Sequence, residues 1–158
     1  MTCAIISEDS ELSAELKNES SRSCIKLKKR LKEFILAAYA HGYDRFYTNC
    51  EYGVPLWAAE IICKMKMAMP IELHIVIPYE EQATKWGQKR RDRYYKVNEQ
   101  CDSVCFASTR YHESCYRNAN EIMLKNSDRV LAYNVSSDNC YAVDYVCTKR
   151  PDVGHSFI

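Results

Sequence analysis

The chain has 158 residues, 47% of them hydrophobic, and its 22 Lys and Arg against 21 Asp and Glu leave a net charge of +1. That length suits one domain spanning residues 1–158 with a real core, and the near-neutral balance removes any global electrostatic case for nucleic acid or an anionic membrane. No apolar run approaches the roughly 20 residues of a membrane span, and Met1 to Ile6 lacks the basic start of a signal peptide, so a cytoplasmic protein is expected.

Thr2 to Ser7 is short and apolar, as a central parallel strand should be. Glu8 to Ser21 is polar and reads as a long loop with one helical turn around Leu12 to Leu16. Ser20, Ser21 or Ser23 can cap the next helix. Cys24, Leu27, Leu31, Phe34, Ile35 and Ala38 then form one apolar stripe, opposite Lys26, Lys29, Arg30 and Lys32, and Gly42 is a suitable stop.

Asp44 to Thr48 reads as a second strand and Asn49 to Gly53 as a polar turn. Pro55 opens a helix to about Met67, with Leu56, Ala59, Ile62 and Cys63 at helical spacing. Ile71 to Ile77 is a third strand ended by Pro78. Gln82 to Gln88 is polar around Trp86, and Arg90 to Gln100 is a helix with Tyr94 and Val97 inward. Ser103 to Ala107, a helix over Tyr116 to Asn126, and Arg129 to Tyr133 follow. Ser136 to Asn139 forms a turn, Cys140 to Thr148 a last helix, and Val153 to Ile158 a short terminal strand.

Strands alternating with helices predict an α/β three-layer sandwich: a mostly parallel sheet of about five or six strands with helices on both faces. In such sheets ligands sit beyond the carboxyl ends of the strands, where the strand order reverses. The polar turns converging there bring Ser7 and Glu8, Asn49 to Gly53, Gln82, and Ser108 to Tyr111 into one region. The helix opening at Pro55 directs free backbone N–H groups at that region, which favours an anionic ligand.

The nine cysteines are spread along the chain without a CxxC pair, and read as small buried hydrophobes, Cys3, Cys24, Cys63 and Cys105 among them. Cys50, near a helix start, is the one whose thiolate that position would stabilise. No His pair has ligand spacing, so no metal is expected, and no cofactor is assigned. Trp86 can stack on a base, and the run Lys85, Lys89, Arg90, Arg91, Arg93, interleaved with Trp86, Tyr94 and Tyr95, can contact single-stranded nucleic acid.

Gly53-Val54 with Ala58-Ala59-Glu60, Ile77-Pro78 with Gln82 and Trp86, Asp92-Arg93-Tyr94, Ser108 with Tyr111 and Cys115, Asn120, and Ser127-Asp128 before the strand ending Ala132-Tyr133 occur in that order. Together they resemble the YpsA-like family of the SLOG superfamily, which also holds the Lonely Guy phosphoribohydrolases and the DNA-processing protein DprA. The resemblance implies a Rossmann-like sheet of strand order 3-2-1-4-5, a pocket for a nucleotide-derived small molecule, and a homodimer. With the turn positions read above, the expected ligand contacts are Ser7, Glu8, Asn49, Cys50, Gly53, Val54, Glu60, Gln82, Trp86, Arg93, Tyr94, Ser108, Tyr111 and Asn120, with Glu60 the candidate acid/base of an N-glycosidase. The family's Gly-His-Arg-Pro after the first strand is Ser7-Glu8-Asp9-Ser10 here, its Ser-Gly after the second is matched to Thr48-Asn49, and the Lonely Guy PGGxGTxxE signature is absent. Two carboxylates in place of two cations weaken phosphate binding at that corner. Binding or sensing without turnover is therefore the expected function, with N-glycosidase and DNA-associated protein as alternatives.

Overall fold

The computed structural model describes residues 1–7, 14–133 and 154–157. Along the chain run β1 (Thr2–Ser7), α1 (Ala14–Lys17), α2 (Arg22–Ala40), β2 (Arg45–Thr48), α3 (Val54–Met65), β3 (Glu72–Ile77), α4 (Gln88–Gln100), β4 (Ser103–Phe106), α5 (Cys115–Lys125), β5 (Arg129–Tyr133) and β6 (Gly154–Phe157). The expected Glu8 and the segment 134–153, with its turn and helix, lie outside the described residues. No described helix is long and apolar enough to cross a membrane.

Local chemistry sets the element ends. Ser21 caps α2, its hydroxyl accepting the Cys24 N–H at 3.1 Å. Gly42 leaves α2 with φ at 88°, a left-handed turn that costs glycine nothing. Pro55 occupies the first turn of α3, where its missing N–H has no partner to lose.

The described strands pair in the order β4-β3-β2-β1-β5-β6, and every pair is parallel. Successive side chains point to opposite faces. Cys3 and Ile5 face one layer with Phe46, Leu73, Ile75, Ile77 and Leu131, under α2, α3 and α4. Ala4 and Ile6 face the other, with Val76, Val130, Ala132 and the α5 residues Ala119, Met123 and Leu124. Helices thus cover both faces, as the alternation predicts.

The strand order corrects the expected 3-2-1-4-5. The chain steps outward from β1 through β4 with α2, α3 and α4 on one face, and returns only after β4, with α5 on the other. β1 therefore neighbours β5, and β4 lies at the edge. With one neighbour, and with α4 packed on α3, all four β4 residues are exposed, so Cys105 is an exposed thiol rather than a buried one.

An aspartate just before β4 and another before β5 clasp the neighbouring strand. Asp128 Oδ2 accepts the Thr2 N–H at 2.9 Å while its own N–H donates to Thr2 O at 2.9 Å. Asp102 repeats the device with Leu73, at 2.7 and 2.8 Å. Removing the Asp128 acceptor strands a nearly buried N–H at the start of the central strand, which costs about 1–2 kcal/mol. Asp128→Ala is expected to lower the melting temperature by about 3–6 °C, and Asp128→Asn by less, as differential scanning calorimetry would show.

Candidate functional site

All six described strands are parallel, so the carboxyl ends of β1, β2, β3 and β5, the turns following β2 and β3, and the N-termini of α3 and α4 share one edge of the sheet. The strand order reverses at β1, whose neighbours β2 and β5 come from opposite sides of the molecule. Ser7, buried at the end of β1, lies in register with Tyr133 of β5.

The turn after β2 is held almost wholly by its own polar groups. Thr48 Oγ1 donates to Pro55 O at 3.2 Å and accepts the Cys50 N–H at 3.4 Å. Asn49 is fully buried, and its Oδ1 accepts the Glu51 N–H at 3.0 Å. Its Nδ2 donates to Asn120 Oδ1 of α5 at 3.5 Å, and its carbonyl accepts from Gln82 Nε2 at 3.3 Å. Three expected site residues from three separate segments therefore meet: Asn49, Gln82 and Asn120. Gln82 Oε1 remains buried without a hydrogen-bond partner among the described residues, an uncommon cost for an amide.

Two backbone conformations shape the bend. Gly53 has φ 122° and ψ −139°, a region open essentially to glycine. Cys50 has φ 51°, so the glycine-type position falls one residue beyond Asn49, which the family pattern matched to glycine. Cys50 is buried, and burial pushes its thiol well above the ordinary range; the expected stabilised thiolate does not form.

Other expected site residues gather elsewhere. Both Glu60 carboxylate oxygens accept from Arg93, at 2.6 Å from Nε and 2.7 Å from Nη2. Arg93 Nη1 also donates to Glu19 at 2.5 Å, and Glu19 further accepts from Lys28 and from the Tyr52 hydroxyl. Burial pushes the Glu19 carboxyl up, but bonds from Arg93, Lys28 and Tyr52 outweigh it and hold it at about 2. Trp86 packs edge-on to Tyr94 and Tyr52, pinning its loop, while the Arg90 guanidinium lies 3.8 Å over the Tyr52 ring. Val54 is buried at the start of α3. Ser108 Oγ lies 2.7 Å from His112 Nε2, within the loop that carries the exposed Tyr111. A cavity of about 440 Å³ between α3 and α4 is lined by Glu60, Arg93, Cys63, Met67 and Val97, mostly from the later turns of those helices and thus away from the crest. Among the described residues no cluster of three His, Cys, Asp or Glu side chains is placed to hold a metal.

Sequence reading passes over Glu51, between residues it selects. Burial lifts this carboxyl to about 7, and among the described residues no cation lowers it. A solvated turn carboxylate and a partly buried one have the same local pattern. The available signal is that no Lys, Arg or His lies between Phe46 and Ile62, so the turn brings no local cation to neutralise it.

Sheet order, layers and crest together define a Rossmann-like α/β domain. The chain belongs to the YpsA SLOG family: the family model, described as YspA SLOG family, matches residues 10–150. It is 32% identical over 117 residues to a UPF0398 protein of Halalkalibacterium halodurans, covering 72% of this chain and 62% of that protein. It is 28% identical over 105 residues to one of Lactobacillus acidophilus, covering 65% and 56%. The chain thus spans about three-fifths of the length of these curated relatives. Its fold is similar to that of DNA processing protein A from Helicobacter pylori, a structure described for its single-stranded DNA binding mode, with TM-score 0.55 and 9% identity over 98% of this chain and 74% of that one.

Proposed function

We propose that the protein binds a nucleotide-derived small molecule at the crest of the sheet, around the ends of β1, β2 and β5, without turning it over. The observation that carries this reading is the meeting of three segments at Asn49, whose side chain bonds the Asn120 amide and whose backbone carbonyl accepts from Gln82, with the Gln82 Oε1 buried and without a partner among the described residues. Buried amides without full pairing cost stability, and a ligand that completes them offsets the cost. The α3 N-terminus, whose Leu56 and Trp57 N–H groups are taken by the Glu51 and Gly53 carbonyls, adds the positive end of the helix dipole toward an anionic group. Turnover has less support, because Arg93 occupies both oxygens of Glu60, the candidate acid/base.

Thermal-shift titration with mononucleotides and ADP-ribose tests this. A ligand at about 100 times its Kd adds about 2.7 kcal/mol, and so raises the melting temperature by about 5–10 °C. Asn120→Leu, which keeps volume and removes the amide, is expected to abolish the shift. No stabilisation of the wild type by any of these ligands would refute the reading.

A second reading, association with single-stranded DNA, draws on the fold neighbour and on the exposed Lys89 and Arg90 at the crest end of α4, near the exposed Tyr95. It requires binding that weakens steeply with salt and that is reduced in a Lys89→Ala, Arg90→Ala double variant.

A further inference from the structure

The Glu51 side chain stands on a pinned turn. Its N–H donates to Asn49 Oδ1 at 3.0 Å, and its carbonyl accepts the Leu56 N–H at 3.1 Å. Left-handed Cys50 precedes it and glycine-only Gly53 follows. The carboxyl is half-buried, and among the described residues no cation neutralises it; burial, joined by the Glu51 charge, pushes up the phenols of Tyr79, just after β3, and Tyr116, in the first turn of α5. The Cys115 thiol lies beside those phenols. Tyr79 packs edge-on to Tyr116 at 6.2 Å and to Tyr111 at 5.3 Å, and Tyr111 is 65% exposed. In an edge-on pair the ring that presents its edge keeps its faces clear of its partner, and an exposed aromatic face such as that of Tyr111 stacks on nucleobases.

We propose that Glu51 and the adjoining Tyr79, Tyr111 and Tyr116 recognise the base of the bound nucleotide, and that this base is guanine. The inference rests on the crest being a nucleotide site. An ionised carboxylate only accepts, through two oxygens side by side. Guanine offers two adjacent donors on one edge, N1–H and the exocyclic amine. Adenine and cytosine offer a donor beside an acceptor, which a carboxylate cannot satisfy in pairs. A carboxyl left without a cation gains most from a ligand that supplies both donors.

Linkage makes this measurable. Glu51 loses its proton at about pH 7 in the free protein. Two N–H donors favour the charged form, so guanine binding releases a proton and strengthens as pH rises through that value. Adenine pairs with the protonated carboxyl, and its affinity falls over the same range. The phosphate titrates alike in GMP and AMP, so the ratio of their affinities isolates the base.

Calorimetric titration of GMP and AMP is therefore made at about pH 6 and pH 8 on the wild type, Glu51→Gln and Glu51→Asp. The GMP-to-AMP affinity ratio of the wild type is expected to rise about tenfold or more between the two pH values. Glu51→Gln, which is near-isosteric and does not titrate, should lose that rise and the preference for GMP; Glu51→Asp should keep the rise with weaker binding. A ratio independent of pH, or unchanged by Glu51→Gln, overturns guanine recognition while leaving the crest site standing. Failure of the wild type to bind either nucleotide overturns both.

Discussion

Replacing Arg93 by methionine is expected to lower the unfolding free energy by about 3 kcal/mol and the melting temperature by about 6–12 °C. Methionine keeps much of the aliphatic stem, so the loss is mainly that of the guanidinium. That group makes a two-pronged bond to Glu60 and a third bond to Glu19, with the three side chains 24–29% exposed. Without it, two largely desolvated carboxylates face each other across the junction of α3, α4 and the segment before α2. Arg93→Lys should recover part of the loss, because a point-charge ammonium cannot match the forked geometry.

The same cluster sets a pH dependence. Glu19 is held at about 2 against an ordinary 4.5, and a depressed carboxyl contributes stability that is complete above the ordinary value. The contribution, on the order of 1–2 kcal/mol once solvent screening at this partly exposed site is allowed for, drains away as pH falls from about 4.5 toward 2. Urea unfolding at about pH 7 and pH 3 should therefore show a smaller acid loss in Arg93→Met than in the wild type, since one of the groups holding Glu19 down is already gone.

Gly53→Ala is expected to cost about 1–3 kcal/mol and to abolish ligand-induced stabilisation, the second effect outlasting any correction for the first. At φ 122° and ψ −139° a Cβ meets the backbone wherever the surrounding space lies. Relief requires rotating the bend, and Gly53 O accepts the Trp57 N–H at 2.9 Å in the first turn of α3. The strain therefore passes to the helix start and to the turn holding Asn49 and Glu51. Gly87 provides the control. It precedes α4 with φ −63° and open space around an added Cβ, so Gly87→Ala should change stability by no more than about 0.5 kcal/mol. Equal losses in both variants, read by urea unfolding and thermal shift, would contradict this account.

Periodicity and turn chemistry, which are local properties, account for what the sequence by itself determined. The α2 stripe of Cys24, Leu31, Ile35 and Ala38 is buried as its spacing requires, Ser21 is the cap, and the alternation of strands and helices yields a parallel sheet between two helical layers. Turn chemistry directed attention to Asn49 and the family pattern to Gln82 and Asn120, and the three do meet.

What only the tertiary structure decided concerns partners distant in sequence. Pairing order depends on which face each crossover takes, and the single reversal after β4 placed β5, not β4, beside β1 and left Cys105 at an exposed edge. Glu60 and Glu51 look alike in sequence, each a carboxylate near the start of α3. Folding brings Arg93, 33 residues away, onto Glu60 and, among the described residues, brings no cation to Glu51. Coulomb energy and desolvation depend on distance through space, so the fold assigned one carboxylate to holding helices together and left the other at the crest with its charge unmatched.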